Sequence, residues 1–399
     1  MDKIKILMIQ GSLQAGGAEK AMVSLLNTLP EEKYDVDLML SARTGLFYDQ
    51  LPKWIKIIDQ PFPFNCLSHK PTDWHFYVHH PIMWIKKVKR TWIAKHQHKL
   101  HLIQSLWRQW RDDIPEFEKE YDVAYGGQEG MCNYYVIDKV KAKRKIVWIH
   151  NDYDKLLYNA DFDRSYFNRA TIVATMSQEA RLILQKIFPE CADHVQYLAN
   201  ITNGRMIYKM SEEQLDDHNF IHLQKGLNII SVGRLCAVKN FSRALDTASL
   251  LKEEGILFHW TIIGEGSERK TLEQKRHDLG LDNDVSLIGL RSNPYKYMAH
   301  SDVLVVTSDF EGKSIAIDEA QILGLPVITT DYDTAPDAVE NGETGIICSM
   351  TSEAISHAIK KLSQDRVLYN HIKKVLKDKH EGNVEEIEKY YAAFEGEDN

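Results

Sequence analysis

Residues 303–330 read VLVVTSDFEGKSIAIDEAQILGLPVITT. The segment begins with an aliphatic run, Val303–Val306, which predicts a buried strand. From Ser314 onward the composition is helical, and Gly324 and Pro326 end this helix just before a second apolar run. The order strand, loop, helix, strand is the repeating unit of a parallel α/β sheet.

The same unit recurs along the chain, whose 399 residues suit two α/β domains of nearly equal size. The first half predicts a helix over Glu19–Leu29 and a set of strands: Ile4–Ile9, Val36–Leu40, Val123–Tyr125, Ile146–Ile149 and Ile172–Ala174. The second half predicts a helix over Phe241–Glu253 and another set: Leu227–Val232, His259–Ile263, Val285–Ile288, Val303–Val306 and Val327–Thr329.

A polar stretch without sustained periodicity, roughly residues 202–225, separates the two sets of strands. The predicted fold class is therefore α/β, with two doubly wound, Rossmann-like domains over residues 1–205 and 206–379 that face each other across a cleft. The tail, Val384–Phe394, has the pattern of an amphipathic helix. In open α/β sheets ligands bind at the carboxyl ends of the strands, so we expect chemistry in the loops that follow them.

Composition limits the class of protein. The net charge of −8 argues against bulk binding of nucleic acid, so we expect no nucleic-acid partner. The five cysteines form no C-x-x-C pair, which disfavours a disulfide framework or a zinc cluster and fits a reducing cytoplasm. No apolar run reaches the roughly 18–20 residues of a membrane span, and the first one is too short for a signal peptide. We expect a cytoplasmic protein whose contact with a membrane is at most peripheral.

Two carboxylates follow the strand Val303–Val306. Glu311 lies in the predicted loop and Glu319 on the predicted helix, and both can accept hydrogen bonds from sugar hydroxyls. Gly312 would let the backbone N–H groups of Ser314 and Ile315 approach a phosphate. Neither the spacing nor the residue types indicate a metal site. The alternative is that Glu319 is simply an acid near a helix N-terminus, where acids are favoured.

Cations and glycines follow two other predicted strands. Arg234 and Lys239 lie between a strand and a helix N-terminus, a suitable place for a diphosphate, although a solvated pair at a domain edge has the same sequence. Gly16 and Gly17 belong to a loop that can approach an anion, or that only forms a tight turn. This loop is not a P-loop, since residues 16–18 read Gly-Gly-Ala where a P-loop has Gly-Lys-Ser/Thr, and it is not a dinucleotide fingerprint.

Two weaker candidates also follow strands. His150, in the stretch 148–152, can contact a reacting group or a sugar hydroxyl. Asp331 and Asp333 form an Asp-x-Asp triplet, which can bind a metal ion with a diphosphate. The same triplet occurs at residues 35–37 and 161–163, so it is a weak signal.

The segment His79–Arg111 contains lysine, arginine and tryptophan but no aspartate or glutamate. A basic, tryptophan-bearing helix suits an anionic membrane surface, and nucleic acid is disfavoured by the overall charge. The alternative is an exposed helical insertion that packs its tryptophans inward, since tryptophan is usually a core residue. The residues predicted to form a patch for membrane or acceptor are Lys86, Lys87, Lys89, Arg90 and Trp92.

Taken together, these motifs resemble glycosyltransferase family 4, which has the GT-B fold. The detailed likeness runs from about Leu227 to Cys348, and the spacing between Glu311 and Glu319 is the E-x7-E of that family. The N-terminal half is similar mainly at residues 16–19 and 148–152. The resemblance implies an acceptor-binding N-terminal domain, a donor-binding C-terminal domain, and a final helix, about 380–399, that crosses back to the N-terminal domain.

The resemblance also implies an activity. Family members transfer a sugar from a nucleotide diphosphate donor with retention of anomeric configuration, without a metal ion or other cofactor. For this chain we expect a UDP-sugar donor and a lipid-linked or cell-surface polysaccharide glycan as acceptor, reached at the cytoplasmic face of the membrane. Lys313 and Ser314 stand where many members have an aromatic or small residue and a proline, so the transferred sugar stays open.

By resemblance, Glu319 would hold the donor ribose, Glu311 would contact the transferred sugar, and Arg234 and Lys239 would neutralise the leaving diphosphate. His150 would reach the sugar from the opposite domain. The remaining donor-binding positions implied by the resemblance are the phosphate loop Gly312, Lys313, Ser314 and Ile315, the base contacts Gly289 and Leu290, and the glycines Gly16 and Gly17.

Three other functions share this kind of sequence. A nucleotide-sugar 2-epimerase has the same two-domain cleft but needs no acceptor. A nicotinamide oxidoreductase would also use a Rossmann domain, but the chain lacks G-x-G-x-x-G. A non-catalytic partner subunit would bind a nucleotide sugar and transfer nothing.

Overall fold

Two parallel β-sheets, one in each half of the chain, organise the computed structural model, which describes residues 3–14, 16–70, 72–97, 99–151, 153–311, 314–377 and 381–396. The described residues form two compact units. The first unit runs to Ile201 and includes the chain from Glu385 onward, and the second is Thr202–Val384. The predicted boundary was between residues 205 and 206.

The first unit is built on a seven-stranded parallel sheet with the order β3-β2-β1-β4-β5-β6-β7. Its strands are β1 (Ile4–Gln10), β2 (Tyr34–Leu40), β3 (Lys56–Asp59), β4 (Tyr121–Gly126), β5 (Ala142–Ile149), β6 (Ile172–Thr175) and β7 (Val195–Tyr197). Its helices are α1 (Gly17–Thr28), α2 (Trp74–Tyr77), α3 (Pro81–His96), α4 (Leu102–Trp110), α5 (Met131–Lys139), α6 (Ala160–Phe167) and α7 (Gln178–Ile187). The predicted strands are confirmed, and the short edge strands β3 and β7 were not predicted.

The second unit is built on a six-stranded parallel sheet with the order β10-β9-β8-β11-β12-β13. Its strands are β8 (Leu227–Val232), β9 (Phe258–Ile263), β10 (Val285–Gly289), β11 (Val303–Val306), β12 (Val327–Thr330) and β13 (Gly345–Cys348). Its helices are α8 (Gly204–Ser211), α9 (Phe241–Glu253), α10 (Arg269–Asp278), α11 (Tyr295–Met298), α12 (Ile315–Ile322), α13 (Ala335–Ala338), α14 (Ser352–Gln364) and α15 (Arg366–Leu376).

The last helix of the chain, α16 (Ile387–Glu395), belongs to the first unit. Its buried residues Tyr390 and Phe394 join the core on one face of the first sheet. The Tyr390 hydroxyl donates to the backbone carbonyl of Ala199 at 2.9 Å, and the Tyr34 hydroxyl donates to Glu395 at 2.8 Å. The predicted return of the tail to the N-terminal domain is therefore confirmed.

Both sheets reverse their strand order beside the first strand of the unit. The reversal lies between β1 and β4 in the first sheet and between β8 and β11 in the second. At such a switch point the connections leave in opposite directions and open a crevice at the carboxyl ends of the strands. The fold class predicted from the sequence, two doubly wound Rossmann-like domains, is confirmed. No helix in the described part of the chain is long and apolar enough to cross a membrane.

Candidate functional site

The switch point of the second unit is formed by two loops that hold each other. One loop follows β8 and the other follows β11. The backbone N–H of Asp309 donates to the carbonyl of Val238 at 2.8 Å, and the Thr307 hydroxyl donates to the carbonyl of Lys239 at 3.0 Å. These bonds fix the positions of the side chains that the two loops carry.

The loop after β8 also rests on the loop after β9. The backbone N–H of Leu235 donates to the carbonyl of Glu265 at 3.0 Å. A Cβ atom at Gly266 would overlap the carbonyl oxygen of Leu235, so glycine is required for this close approach. The loop that carries Arg234 is therefore held from both sides.

Lys239 and Glu311 meet at the centre of this switch point. The Nζ atom of Lys239 lies 2.5 Å from Oε1 and 2.6 Å from Oε2 of Glu311, which is only 7% exposed. The Ser308 hydroxyl donates to Oε1 at 2.6 Å, and the Thr334 hydroxyl donates to the Glu311 carbonyl at 2.7 Å. An ammonium has three N–H donors, so Lys239 can hold Glu311 and still donate to an anion.

Two further groups for an anion lie in the same loops. Arg234 is exposed and forms no ion pair with another residue that the structure describes. Helix α12 begins at Ile315 with Ser314 as its N-cap residue. The N–H of Ile317 already donates to the Ser314 carbonyl at 3.0 Å, whereas those of Ile315 and Ala316 have no acceptor within their own helix. The predicted residues Gly312 and Lys313 lie outside the described residues.

Glu319 is buried on α12, with 2% exposure. The Tyr295 hydroxyl donates to its Oε1 atom at 2.9 Å. Burial first, and then the charge and hydrogen bond of Glu319, raise the pKa of Tyr295 well above its ordinary value, so the hydroxyl remains a donor. The sequence did not predict Tyr295, because α11 is one short turn without periodicity and lies far from Glu319 along the chain.

The predicted base contacts lie at the end of β10. Gly289 has φ +79°, in the left-handed region that favours glycine, and Leu290 is exposed. Arg291 donates to the Leu290 carbonyl at 3.0 Å and to Asp217 at 2.7 Å. Burial alone would raise the pKa of Asp217, but hydrogen bonds from Arg291, the Asn219 backbone and Tyr297 hold it well below its usual range. The ion pair therefore stays charged and fixes this loop.

His150 follows β5 in the first unit. Its Nε2 atom lies 3.0 Å from the carbonyl oxygen of Gly127, and its backbone N–H donates to Glu129 at 3.2 Å. Because a carbonyl can only accept, Nε2 carries the proton and Nδ1 is an acceptor. Burial lowers the pKa of His150, partly opposed by the charge of Glu129, so the ring is neutral at pH 7. Asp152, from the same motif, lies outside the described residues.

Gly16 and Gly17 also lie in the first unit, at the start of α1. Gly16 is the N-cap residue, and a Cβ atom there would overlap the Glu19 carboxylate. Glu19 thus lies over the N-terminus of its own helix, where the helix dipole favours a negative charge. An incoming anion would have to displace this carboxylate. No sequence pattern indicated that Glu19 lies in this position.

Three cations of α3 have partners within the first unit. Lys87 is 4% exposed, and its Nζ donates to the carbonyls of Cys66 and Leu67 at 3.1 and 3.0 Å. Burial lowers the pKa of Lys87. Lys86 and Arg90 both pair with Asp113, at 3.3 and 2.7 Å. The prediction that Lys87 belongs to a patch for membrane or acceptor is wrong, because its side chain is held by carbonyls of a separate segment that no pattern indicates. Lys89 and Trp92 are exposed.

The tryptophans of this segment divide between the two interpretations. Trp107 and Trp110 are fully buried in the core of the first unit, as the inward-packing alternative required. Trp84 and Trp92 are exposed on α3. Within the described ranges, no group of three or more His, Cys, Asp or Glu side chains is placed to hold a metal ion.

Comparison with known proteins shows what the chain is similar to. A family model described as glycosyl transferases group 1 matches residues 214–379, which lie within the second unit. An uncharacterized glycosyltransferase of Methanocaldococcus jannaschii is 27% identical over 198 residues, which are 48% of this chain and 49% of that protein. Campylobacter jejuni has a relative named N-acetylgalactosamine-N,N'-diacetylbacillosaminyl-diphospho-undecaprenol 4-alpha-N-acetylgalactosaminyltransferase. It is 31% identical over 139 residues, which are 34% of this chain and 37% of the relative.

The chain thus spans about half the length, or less, of the curated relatives that it matches. Among solved structures, Anabaena HepE in complex with UDP-glucose covers 99% of this chain and 100% of its own, with a TM-score of 0.66 and 17% identity. The fold of the chain is accordingly that of the GT-B glycosyltransferases.

Proposed function

We propose that this protein is a glycosyltransferase that moves a sugar from a UDP-sugar to a glycan acceptor, with retention of anomeric configuration and without a metal ion. The observation that carries the proposal is the Lys239–Glu311 pair, fixed with Arg234 at the switch point of the second unit. The family model on the same unit supports the class of reaction. The UDP-glucose named for the HepE complex supports the donor.

The chemistry follows from where charge develops. Breaking the bond between sugar and phosphate leaves negative charge on the diphosphate. Arg234, Lys239 and the first turn of α12 would stabilise that charge more in the transition state than in the bound donor. Glu319, held by Tyr295, would accept hydrogen bonds from the ribose hydroxyls.

Retention is proposed from the E-x7-E resemblance, and the way Glu311 is held disfavours a double displacement through a covalent intermediate. Its carboxylate already accepts from Lys239 and Ser308, so it is suited to binding a sugar hydroxyl and poorly suited to attacking the anomeric carbon. We therefore favour attack by the acceptor on the same face that the diphosphate leaves, with a phosphate oxygen taking the acceptor's proton. The neutral His150 would accept a hydrogen bond from a sugar hydroxyl through Nδ1.

The acceptor that we propose is a glycan linked to a lipid diphosphate or belonging to a cell-surface polysaccharide. The name of the Campylobacter jejuni relative, which contains diphospho-undecaprenol, supports a lipid-linked acceptor. Such an acceptor places the reaction at the cytoplasmic face of a membrane, with the protein bound peripherally.

A transfer assay tests the proposal. Full-length protein is incubated with UDP-, GDP-, ADP- or dTDP-sugars labelled in the sugar, in EDTA, with or without a bacterial extract containing lipid-linked glycans. We expect label to enter the glycan fraction from a UDP-sugar only when the extract is present. Glu311→Gln should lower the rate by about 10²-fold, because an interaction with the reacting sugar is lost. Glu353→Gln, an exposed acid on α14, should leave the rate unchanged.

The epimerase and the non-catalytic partner subunit give different results in this assay. A 2-epimerase would convert the donor sugar without any acceptor. A partner subunit would bind the donor but transfer no label with any extract. A requirement for added Mg²⁺ would contradict the metal-independent part of the proposal alone.

A further inference from the structure

Helix α3 departs from the pattern of an ordinary surface helix. Its buried residues are Ala94 and Lys87, and Lys86 and Arg90 pair with Asp113 of the same unit. Its outward side contains Ile85 and Trp92, which are 60% and 62% exposed. Surface helices normally bury their apolar residues and expose their lysines.

The outward apolar side chains form one continuous stripe. Ile85, Val88 and Trp92 follow the i, i+3, i+7 spacing of a single helix face. Ile82 lies beside them on the same helix, and Trp74 lies on the neighbouring α2; these two are 68% and 65% exposed. Single exposed apolar residues are ordinary, but a contiguous group of this kind marks a surface for interaction.

The stripe cannot be buried by rolling the helix over. Rotation of α3 would break the two hydrogen bonds of Lys87. The Leu67 carbonyl would lose this donor, and the Cys66 carbonyl would keep only the Tyr77 hydroxyl, at 3.2 Å. It would also separate Arg90 from Asp113 and from the ring of Trp110. The fold of the first unit therefore keeps the apolar stripe outward.

The charges around the stripe indicate what covers it. Lys89 and Lys95 are exposed on the same side of α3, and no acidic residue occurs between His79 and Arg111. Each acid that flanks this segment is paired with a basic residue. Asp73 pairs with His69, the exposed Asp112 with Arg111, and Asp113 with Lys86 and Arg90. Apolar and tryptophan side chains flanked by lysines match the boundary between acyl chains and anionic headgroups.

We propose that α2 and α3 dock onto the surface of an anionic phospholipid bilayer. Ile85, Val88 and Trp92 enter the boundary between headgroups and acyl chains, and Lys89 and Lys95 lie among the phosphates. This inference deepens the proposed function, because it gives the surface through which the enzyme reaches a lipid-linked acceptor. Binding to vesicles needs neither donor nor acceptor, so it can be tested apart from sugar transfer.

Co-sedimentation of the full-length protein with vesicles tests the proposal. We expect binding to vesicles of phosphatidylglycerol and phosphatidylcholine, and much weaker binding to phosphatidylcholine alone. The double variant Ile85→Gln with Trp92→Gln should lower the partition coefficient at least tenfold, since two inserted apolar side chains are lost. Leu182→Gln with Val367→Gln, which changes two exposed apolar residues on α7 and α15, should leave it unchanged.

A second pair of variants tests the electrostatic part. Lys89→Gln with Lys95→Gln should weaken binding to the anionic vesicles severalfold and reduce its dependence on salt. Lys53→Gln with Lys186→Gln removes the same charge at exposed positions elsewhere in the first unit and should have little effect.

Three outcomes would overturn the proposal. In the first, the wild-type protein binds no vesicle. In the second, Ile85→Gln with Trp92→Gln and the control Leu182→Gln with Val367→Gln lose binding equally. Alternatively, analytical ultracentrifugation shows a dimer that Ile85→Gln with Trp92→Gln dissociates, without vesicle binding, which would make the stripe an interface between two copies. Failure of the proposed function looks different, because the wild-type protein would then bind vesicles but not UDP.

Discussion

At the scale of single residues, Lys239 and Glu311 show how two opposite charges can be held in position for a ligand at a nearly buried site. A charge is costly to bury unless it is paired and hydrogen-bonded, and Glu311 has both Lys239 and the Ser308 hydroxyl. Its carbonyl is also held by Thr334. The carboxylate is therefore positioned before any donor arrives, and little ordering remains to be done on binding.

Tyr295 likewise holds the Glu319 carboxylate in position before a ligand binds, and this leads to a prediction. Tyr295→Phe removes one hydrogen bond to a charged, buried carboxylate. We expect the Kd for UDP to rise about tenfold, since such a bond is worth roughly 1.5 kcal/mol or more. Tyr369→Phe, on α15 of the same unit, is the control, because its hydroxyl donates to the Asp302 carbonyl at 3.4 Å and to no proposed donor-binding residue. Equal effects of the two variants on the Kd would show that Tyr295 acts only through the stability of the second unit.

At the scale of elements, the central strands could be predicted because both faces of a parallel strand are buried, which makes each a short aliphatic run. Strand β3 was missed because it lies at a sheet edge and is only partly buried. The helical segment that contains α3 was predicted from the sequence, but the face of α3 that is buried was not. Periodicity shows that a helix has two faces, and the partners of Lys87 and Arg90, at residues 66, 67 and 113, decide which one is buried.

For the candidate site, the positions of the residues along the chain could be predicted from the sequence, but their contacts could not. The sequence placed Arg234, Lys239, Glu311 and Glu319 after or near strand ends, since those positions follow from the strand pattern. Contacts between separate loops, such as that of Lys239 with Glu311, were not predicted. They depend on β8 and β11 being neighbours in the sheet, which the order of strands along the chain does not indicate.

The orientation of α3 leads to a second prediction. Lys87→Ala leaves a cavity and removes the donor of the Leu67 carbonyl, while the Cys66 carbonyl keeps the Tyr77 hydroxyl. We expect the free energy of unfolding to fall by about 2–4 kcal/mol. Lys89→Ala, on the exposed side of the same helix, should change it by less than about 0.5 kcal/mol. Urea unfolding followed by tryptophan fluorescence measures both. If the two variants were equally stable, Lys87 would not anchor the helix.

At the scale of the whole molecule, both units contain histidines whose pKa burial lowers. These are His101 and His150 in the first unit and His259 in the second. Below the ordinary histidine pKa of about 6.5, the unfolded chain binds these protons more readily than the folded chain, so stability falls as the pH falls. The carboxylates Asp113 and Asp217 have lowered pKa values and lose their contribution only in more acidic solution.

The third prediction follows from these histidines. The midpoint of thermal unfolding should fall steadily between about pH 7 and pH 5, before the carboxylates begin to protonate. His259→Gln should reduce the slope in this range, because it removes a buried titrating group of the second unit. A midpoint that is constant from pH 7 to pH 5 would contradict the lowered pKa values.

The central claim is that the second unit holds a nucleoside diphosphate between the loops after β8 and β11 and the buried Glu319. Isothermal titration of the full-length protein with UDP, in EDTA, tests it most directly. We predict one site per chain, loss of measurable binding in Glu319→Ala, and an unchanged Kd in Glu353→Gln. The claim would be contradicted if the wild-type protein bound none of UDP, GDP, ADP and dTDP, or if Glu319→Ala bound UDP as tightly as the wild-type protein.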